Sequence, residues 1–404
     1  MSLAHTNTHP SAAATGVTAP AGFSAAGVPA GLKSTGKNDV VVVKNHGPEF
    51  TAAGVFTSNR VAAAPVHWSK QVLADGRIDA VVLNSGGANA CTGAEGFANT
   101  HKTAEYVAQL LEVSAGDVAV ASTGLIGEQL PMDKLLPGVK AAADTLANDQ
   151  NASDQAAAGI MTTDTVPKLV SRIVGESGSG QVIIGGMAKG AGMLAPALAT
   201  MLVVLTTDAV LTSQQADDAL RAATAMSFDR ADSDGCMSTN DTVLLLASGA
   251  SGAAPVMEEF TAALTDACCE LAAKLIEDAE GADHTIAIRT YNAATEADAL
   301  EVSKAVSRSN LVKTAVFGKD PNWGRVLSEV GTTKAAFEPD ELNVSINGVM
   351  VCKNGGVGED RNLVNLDERN VSIEIDLNAG TEQATVLTND LTHDYVHENS
   401  AYSS

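Results

Sequence analysis

The stretch GGMAKGAGMLAPALATMLVVLTTD, residues 185–208, decides which fold the chain can adopt. It contains GAGMLA, which has the GxGxxA spacing of a dinucleotide-binding fingerprint and follows a predicted strand. That fingerprint needs a helix after the glycines that crosses back to a parallel strand, and such a crossover takes about a dozen residues. Here only residues 193–199 precede the next apolar run, and Pro196 lies among them. The geometry therefore argues against a dinucleotide-binding fold.

The same stretch places a hydroxyl next to a cation. Lys189 lies in the glycine-rich turn, and Thr200 opens a strongly apolar predicted strand after the proline-bent connection. A β-branched threonine at the start of a strand is usually structural. Composition alone therefore leaves both a structural and a chemical role open for Thr200.

Periodicity along the rest of the chain predicts alternating strands and helices. Runs rich in β-branched residues predict strands at 39–43, 78–83, 117–121, 181–184, 201–206, 242–247, 285–290 and 311–317. Alanine-rich amphipathic stretches predict helices at 100–113, 133–147, 213–226, 256–279 and 296–307. The spacing of Thr295 and Asp298 is that of a capping box, which marks a helix start.

The last part of the chain predicts hairpins. The pair Asn347-Gly348 lies between runs that alternate with period two, as in a tight type I′ turn. Helices mixed with hairpins do not fit a purely parallel, doubly wound sheet. The predicted class is therefore α+β, a layered sandwich of mixed sheets with helices outside. No linker marks a domain boundary.

Composition excludes several classes of protein. The chain has 404 residues, with 48 Asp and Glu against 25 Lys and Arg, a net charge of −23, and only 3% aromatic residues. A nucleic-acid partner needs a basic surface, and base stacking needs aromatics, so none is expected. The most apolar stretch, residues 193–205, falls short of the roughly 20 residues of a membrane span. No secretory signal is recognisable at the N-terminus, which predicts a cytoplasmic protein.

No metal site is predicted. There is no HExxH motif, and Asp229, Asp232 and Asp234 lack the closing glutamate of a calcium loop, so they are expected to form a solvated acidic loop. The cysteines form no CxxC pair and are predicted to be reduced core thiols. They are Cys91, Cys236, Cys268, Cys269 and Cys352.

Two glycine-containing turns follow predicted strands. Ser122-Thr123-Gly124 ends one strand, and a glycine there lets the backbone approach a ligand while a hydroxyl and an N–H converge on one oxygen. The loop NSGGANA, residues 84–90, ends another. Taken alone, both are also consistent with ordinary turns.

An ordered set of long motifs carries a resemblance to a known family. The motifs are NSGGANACTG, STGLIG, IMTTDTVPK, GGMAKGAGMLAPALATML, STNDTVLLLASG, DPNWGR and ENSAYSS. Together they are similar to the ornithine acetyltransferases (glutamate N-acetyltransferases) of arginine biosynthesis, from about residue 16 to residue 404. Ala191 and Ala197 depart from the Ser and Asn of many members, which bears on substrate fit rather than on the chemistry.

The resemblance implies an N-terminal-nucleophile-like enzyme that cleaves itself between Ala199 and Thr200. Residues 1–199 would form an α chain and residues 200–404 a β chain, interwoven and paired into an (αβ)₂ heterotetramer. Thr200 would then be the nucleophile and its new α-amine the base, with a reference pKa near 8 that suits this task. The implied reaction is acetyl transfer from N²-acetyl-L-ornithine to L-glutamate without a cofactor or metal. Whether acetyl-CoA is also a donor stays open.

The resemblance also implies the site residues. The Thr123 hydroxyl and the Gly124 N–H would form the oxyanion hole. The implied substrate-binding residues are Thr162, Lys189, Thr200, Glu280, Asn399 and Ser404. Without the resemblance, Glu280 is interpreted as a solvated charge and the C-terminal residues as a frayed tail.

Two other functions remain as alternatives. An N-terminal-nucleophile amidase or aminopeptidase shares the cleavage and the hydroxyl chemistry but passes the acyl group to water. A non-catalytic amino-acid or dinucleotide-binding module would stay uncleaved and bind its ligand without turnover.

Overall fold

The computed structural model describes residues 9–175, 180–193 and 201–401. Its strands are Phe23–Val28 (β1), Val40–Asn45 (β2), Thr51–Phe56 (β3), Ala80–Asn84 (β4), Val118–Ser122 (β5), Lys168–Val174 (β6), Val182–Lys189 (β7), Leu202–Thr207 (β8), Thr242–Ala247 (β9), Thr285–Ala293 (β10), Asn343–Ile346 (β11), Val349–Lys353 (β12), Gly356–Val357 (β13), Asn370–Asp376 (β14) and Glu382–Asn389 (β15). Its α-helices are Ala64–Val72 (α1), Gly93–Leu111 (α2), Met132–Asp144 (α3), Gln150–Ile160 (α4), Ser213–Met226 (α5), Met257–Glu277 (α6), Glu296–Ser307 (α7), Asn310–Phe317 (α8), Trp323–Val330 (α9) and His393–Ala401 (α10).

The strands form three sheets, each with both parallel and antiparallel pairs, which confirms the predicted α+β class. The chain divides into two compact units. Of the described residues, the larger unit comprises 9–175, 180–193, 201–229 and 236–275, and the smaller comprises 230–235 and 276–401.

A four-stranded sheet in the larger unit has the order β1-β2-β4-β5. The valines 40–43 of β2 are all fully buried, so both faces of this strand are covered. Helices α3 and α4 pack against β1 and β2, and α1 and α2 pack against β5. These contacts hold the ends of β4 and β5, where the loop 84–90 and Thr123 begin.

A five-stranded sheet in the same unit has the order β3-β9-β8-β7-β6. Strand β8 is antiparallel to β7 and parallel to β9. The glycine-rich stretch after β7 is therefore not followed by a crossover to a neighbouring parallel strand. This pairing confirms the argument against a dinucleotide-binding fold.

The smaller unit holds a six-stranded sheet in the order β13-β12-β11-β14-β10-β15. Asn347 and Gly348 join β11 to β12 with φ angles of 47° and 82°, and positive φ at both positions is what a type I′ turn requires. Helix α7 begins after Thr295, whose side chain accepts a hydrogen bond from the Asp298 N–H at 3.1 Å. The predicted hairpin and the predicted helix start are both confirmed.

The strand predicted at 311–317 is wrong, because these residues form helix α8. The Ser309 side chain caps the helix by accepting from the Val312 N–H at 3.3 Å. Val312, Ala315 and Val316 are buried, at the i, i+3, i+4 spacing of a helix face. The two valines of the segment, Val312 and Val316, lie on this face, whereas Thr314 is exposed.

The cysteine prediction holds only in part. Cys268, Cys269 and Cys352 are buried, but Cys91 and Cys236 are exposed and are not core residues. Cys91 lies at the end of the loop 84–90, with a positive φ of 58°.

Among the residues described, no helix is long and apolar enough to cross a membrane.

Candidate active site

The predicted site residues fall into three groups. Ala199, Thr200 and Ser404 lie outside the described residues, as does Ala197. Thr123, Gly124, Thr162 and Lys189 belong to the larger unit. Glu280 and Asn399 belong to the smaller unit.

Lys189, the last residue of β7, brings two of the predicted threonines together. Its ammonium Nζ donates to Thr162 Oγ1 at 2.7 Å and lies 3.4 Å from Thr123 Oγ1. An ammonium group can only donate, so both hydroxyl oxygens accept. Each threonine thus keeps its own hydroxyl hydrogen for another acceptor. The resemblance implies all three as site residues, and the fold joins them from distant parts of the chain.

A buried carboxylate, Asp164, lies beneath this group. Asp164 Oδ1 accepts from Lys168 Nζ at 2.7 Å and from the Gly190 N–H at 2.7 Å. Its Oδ2 accepts from the Thr162 N–H at 3.0 Å and lies 3.7 Å from Lys189 Nζ. These bonds tie the loop that carries Thr162 to the end of β7.

Thr123, Thr162, Asp164, Lys168 and Lys189 form what is called here the Thr162–Lys189 group. Positive charge exceeds negative charge in this group. Burial alone raises the pKa of Asp164, but the charges of Lys189 and Lys168 outweigh it and lower the pKa to about 2. Asp164 is therefore ionised at neutral pH. Two buried ammonium groups face one carboxylate, so the group has an excess of positive charge within a strongly acidic protein.

Thr123 and Gly124 follow β5 directly, as predicted. Gly124 has a φ of +127°, and a Cβ built on it would lie 2.7 Å from the backbone N of Gly87. Only glycine fits this conformation and this close approach. The loop 84–90 therefore lies against the Gly124 backbone, next to Thr123.

Asn240 holds this arrangement in place, although sequence analysis had not singled it out. Its Nδ2 donates to the carbonyl oxygen of Ala88 at 2.6 Å and to that of Ser122 at 2.8 Å. Ser122 Oγ also donates to Asn84 Oδ1 at 2.6 Å. One buried amide thus joins the loop 84–90 to the residue that precedes Thr123.

Glu280 and Asn399 are joined in the smaller unit. Asn399 Nδ2 donates to Glu280 Oε2 at 2.9 Å, and Glu280 is only 8% exposed. A Cβ built on Gly281 would lie 2.2 Å from the Tyr395 backbone N, so this turn packs closely on helix α10. The interpretation of Glu280 as a solvated charge is wrong. The frayed-tail interpretation is wrong for residues 393–401, which form helix α10.

The acidic loop is only partly solvated, because Asp232 is buried while Asp229 and Asp234 are partly exposed. Asp232 is fully buried, accepts from Arg308 Nε at 2.7 Å and accepts from the Gly235 N–H at 2.9 Å. Burial raises its pKa, against the opposing effect of the Arg308 hydrogen bond. Within residues 9–175, 180–193 and 201–401, no group of His, Cys, Asp and Glu side chains is arranged to hold a metal ion.

Nearly the whole chain is similar to proteins of one known family. The model of the ArgJ family matches residues 24–404. The arginine biosynthesis bifunctional protein ArgJ of Streptomyces avermitilis is 63% identical over 388 residues, which cover 96% of this chain and 100% of the relative. The protein of the same name from Streptomyces coelicolor is 61% identical over the same length, with the same coverage of both chains.

A solved structure is also similar. The crystal structure of ornithine acetyltransferase complexed with ornithine from Mycobacterium tuberculosis is 50% identical, with a TM-score of 0.42. The match covers 48% of this chain and 100% of that solved chain.

Proposed function

Because the chain belongs to the ArgJ family and is an acyltransferase, we propose that it transfers the acetyl group of N²-acetyl-L-ornithine to L-glutamate. In the first half-reaction the Thr200 hydroxyl attacks the acetyl carbonyl, the amide C–N bond breaks and ornithine leaves. In the second, the glutamate α-amine takes the acetyl group from the Thr200 ester. N-acetylglutamate leaves, and the Thr200 hydroxyl is restored. One amide replaces another, so the reaction needs neither ATP nor a metal.

One observation carries the proposal. In the β7–β8 pair, Lys189 lies opposite Leu202, and Leu202 is close in sequence to Thr200. The chain that follows Thr200 is thereby fixed against the lysine that binds Thr123 and Thr162. This register supports a nucleophile at Thr200 that acts beside these two hydroxyls.

The proposed roles follow from the hydrogen-bond donors. The Thr123 hydroxyl has a hydrogen to donate, and with the Gly124 N–H it would stabilise the negative oxygen of the tetrahedral intermediate. The Thr200 α-amine would act as base, and the positive charge of Lys189, whose strand pairs with the segment after Thr200, would lower the pKa of that amine. Thr162, Lys189, Glu280, Asn399 and Ser404 would bind the substrates. Glu280 offers a negative charge to the ornithine ammonium.

We propose further that the chain cleaves itself into residues 1–199 and 200–404. Strand β7 precedes the cleavage site, strand β8 follows it, and the two are hydrogen-bonded neighbours in one sheet. Strand β3 from the first fragment likewise pairs with β9 from the second. These pairings support two interwoven fragments that stay together after cleavage. Assembly as an (αβ)₂ heterotetramer and a cytoplasmic location remain part of the proposal.

Mass spectrometry of the intact purified protein tests the cleavage. Two fragments, ending at Ala199 and beginning at Thr200, are expected, whereas Thr200→Ala should give one inactive chain. Cleavage of the Thr200→Ala chain at the same bond would remove Thr200 from this role.

Kinetics test the transfer. With acetylornithine and glutamate varied, double-reciprocal plots should be parallel, and without glutamate an acetyl group should accumulate on the second fragment. Intersecting lines without an adduct would indicate direct transfer in a ternary complex. Steady release of acetate without glutamate would instead favour the amidase alternative. The same assay with acetyl-CoA in place of acetylornithine decides whether that thioester is a donor.

A further inference from the structure

A buried carboxylate shapes the loop that precedes β2. Asp39 is fully buried, and its side chain accepts from the backbone N–H groups of Ala30 at 2.6 Å, Leu32 at 2.6 Å and Lys33 at 3.0 Å. Three hydrogen bonds to one carboxylate fix the backbone of residues 30–33. The backbone from which the Lys33 side chain extends is therefore held in place by the fold.

This loop lies beside the proposed oxyanion donors. A Cβ built on Gly86 would lie 2.2 Å from Leu32 Cβ, so the two backbones pack without room for a further atom. The neighbouring Gly87 in turn lies against Gly124. Leu32 and Gly124 thus contact the same glycine pair, Gly86-Gly87.

The Lys33 side chain reaches the loop that carries Thr162. Its Nζ donates to the carbonyl oxygen of Met161 at 2.9 Å, and Met161 directly precedes Thr162. Lys33 is half-buried, and burial lowers its pKa, with the charge of Asp39 opposing. Lys189 and Asp164 are near enough for their charges to act on Lys33 as well.

Lys33 differs in its partners from the two lysines that contact Asp164. Lys168 and Lys189 both face the Asp164 carboxylate. Among the described residues, Lys33 Nζ contacts the neutral Met161 carbonyl and has no carboxylate within ion-pair distance. An ammonium group has three donors, so two remain available. A partly desolvated cation of this kind binds a carboxylate strongly, because charge-assisted hydrogen bonds replace the water it has lost.

We propose that Lys33 binds a carboxylate of the amino-acid substrates at the edge of the Thr162–Lys189 group. The proposal rests on the proposed function. Two carboxylates have the required chemistry. The α-carboxylate is common to acetylornithine and glutamate, whereas the side-chain carboxylate belongs to glutamate alone.

Substitution of Lys33 tests the proposal and separates the two carboxylates. Lys33→Gln keeps a donor for the Met161 carbonyl but removes the charge, and Lys33→Met removes both. Loss of a charge-assisted hydrogen bond should raise KM by about 10- to 100-fold, with kcat within about threefold of the original value. A rise in both KM values assigns the α-carboxylate, and a rise for glutamate alone assigns its side chain.

Lys37→Met is the matched control, since Lys37 is an exposed lysine of the same loop. It should leave both KM values unchanged. Lys33→Arg should recover most of the affinity, because it restores the charge. KM values for Lys33→Gln equal to those of Lys37→Met would overturn the proposal.

Calorimetry separates this proposal from the proposed function. L-glutamate and L-ornithine are titrated into the cleaved chain and its Lys33→Gln variant, without turnover. A chain that binds glutamate through Lys33 but transfers no acetyl group would contradict the proposed function and leave the role of Lys33 intact. Equal affinities of both proteins for both amino acids would contradict the role of Lys33, whatever the reaction.

Discussion

The side-chain carboxyl of Asp241 accepts a hydrogen bond from the backbone N–H of Met201 at 3.1 Å. The next residue, Thr242, donates its N–H to the Met201 carbonyl oxygen, also at 3.1 Å. Both backbone polar groups of Met201 are thus bonded to one dipeptide at the start of β9. Since the Met201 nitrogen belongs to the peptide bond with Thr200, Asp241 holds the chain directly after the proposed nucleophile. Asp241 is fully buried, and burial raises its pKa well above the ordinary range.

Substitution of Asp241 should show that it acts as a neutral acceptor. The raised pKa favours the protonated carboxyl, and a neutral asparagine amide oxygen can accept the same hydrogen bond from Met201. Asp241→Asn should therefore still be cleaved, whereas Asp241→Ala should slow cleavage at least about tenfold through loss of one buried hydrogen bond. Intact mass against time after expression measures both rates, with thermal unfolding as the folding control. Complete loss of cleavage in Asp241→Asn would show that a charged carboxylate is required.

Thr123→Val tests the proposed oxyanion hole, because valine has nearly the shape of threonine without the hydroxyl. A donor aimed at the oxyanion acts mainly on the transition state, so kcat should fall by roughly 10²- to 10³-fold with KM little changed. Thr123→Ser, which keeps the hydroxyl, should retain most of the activity. Steady-state kinetics on protein of confirmed cleavage make the measurement. A wild-type kcat in Thr123→Val would remove Thr123 from the oxyanion hole, and a change confined to KM would make it a substrate contact.

The close approach of Gly124 to Gly87 gives a second test of this region. Gly124→Ala adds a Cβ that meets the Gly87 nitrogen, in a φ region that alanine rarely adopts. Gly127→Ala is the matched control, because Gly127 has a φ of +88° but nothing within 4 Å of its added Cβ. Backbone strain of about 1–3 kcal/mol is expected in both variants, and only Gly124→Ala should also lose acetyl transfer. Equal activities would show that the contact between Gly124 and Gly87 does not matter for the reaction.

Local patterns predicted the parts of the structure that depend on neighbours in sequence. Thr295 caps α7 through the Asp298 N–H, and Asn347-Gly348 forms its turn, because both features need only a few adjacent residues. Segment 311–317 was misread for a related reason. Its β-branched residues suit a strand or a buried helix face, and only the packing of α8 decides between them.

The buried polar contacts of the site were not predictable in the same way. Asn240 bonds to Ala88 and Ser122, and Lys33 bonds to Met161, so each contact joins segments far apart in the chain. Such pairs have no spacing signal. Asp164 and Lys168 do have a helical spacing, but they lie outside the described helices, and nothing local shows that both are buried. The resemblance supplied Thr123, Thr162 and Lys189, whereas the residues that position them required the fold.

We expect the unfolding free energy to change with pH because Lys313 on helix α8 is buried. It is 5% exposed, and its Nζ donates to the Ser233 carbonyl and to Thr388 Oγ1. Burial lowers its pKa from 10.5 to about 8, although the charges of Asp232, Asp234 and Asp390 oppose this. Between these two pKa values the unfolded chain holds a proton that the folded chain has released. Stability therefore rises as pH increases through this window.

The matching experiment compares the unfolding free energy of the wild-type chain with that of Lys313→Met. The methionine variant lacks the titrating group. From about pH 7 to about pH 9.5, the unfolding free energy of the wild type should therefore rise by about 2 kcal/mol relative to that of the variant. Lys353→Met, at an exposed position on β12, is the control and should follow the wild-type curve. A difference that stays constant over this range would mean that Lys313 keeps an ordinary pKa, and that its charge is fully compensated in the folded unit.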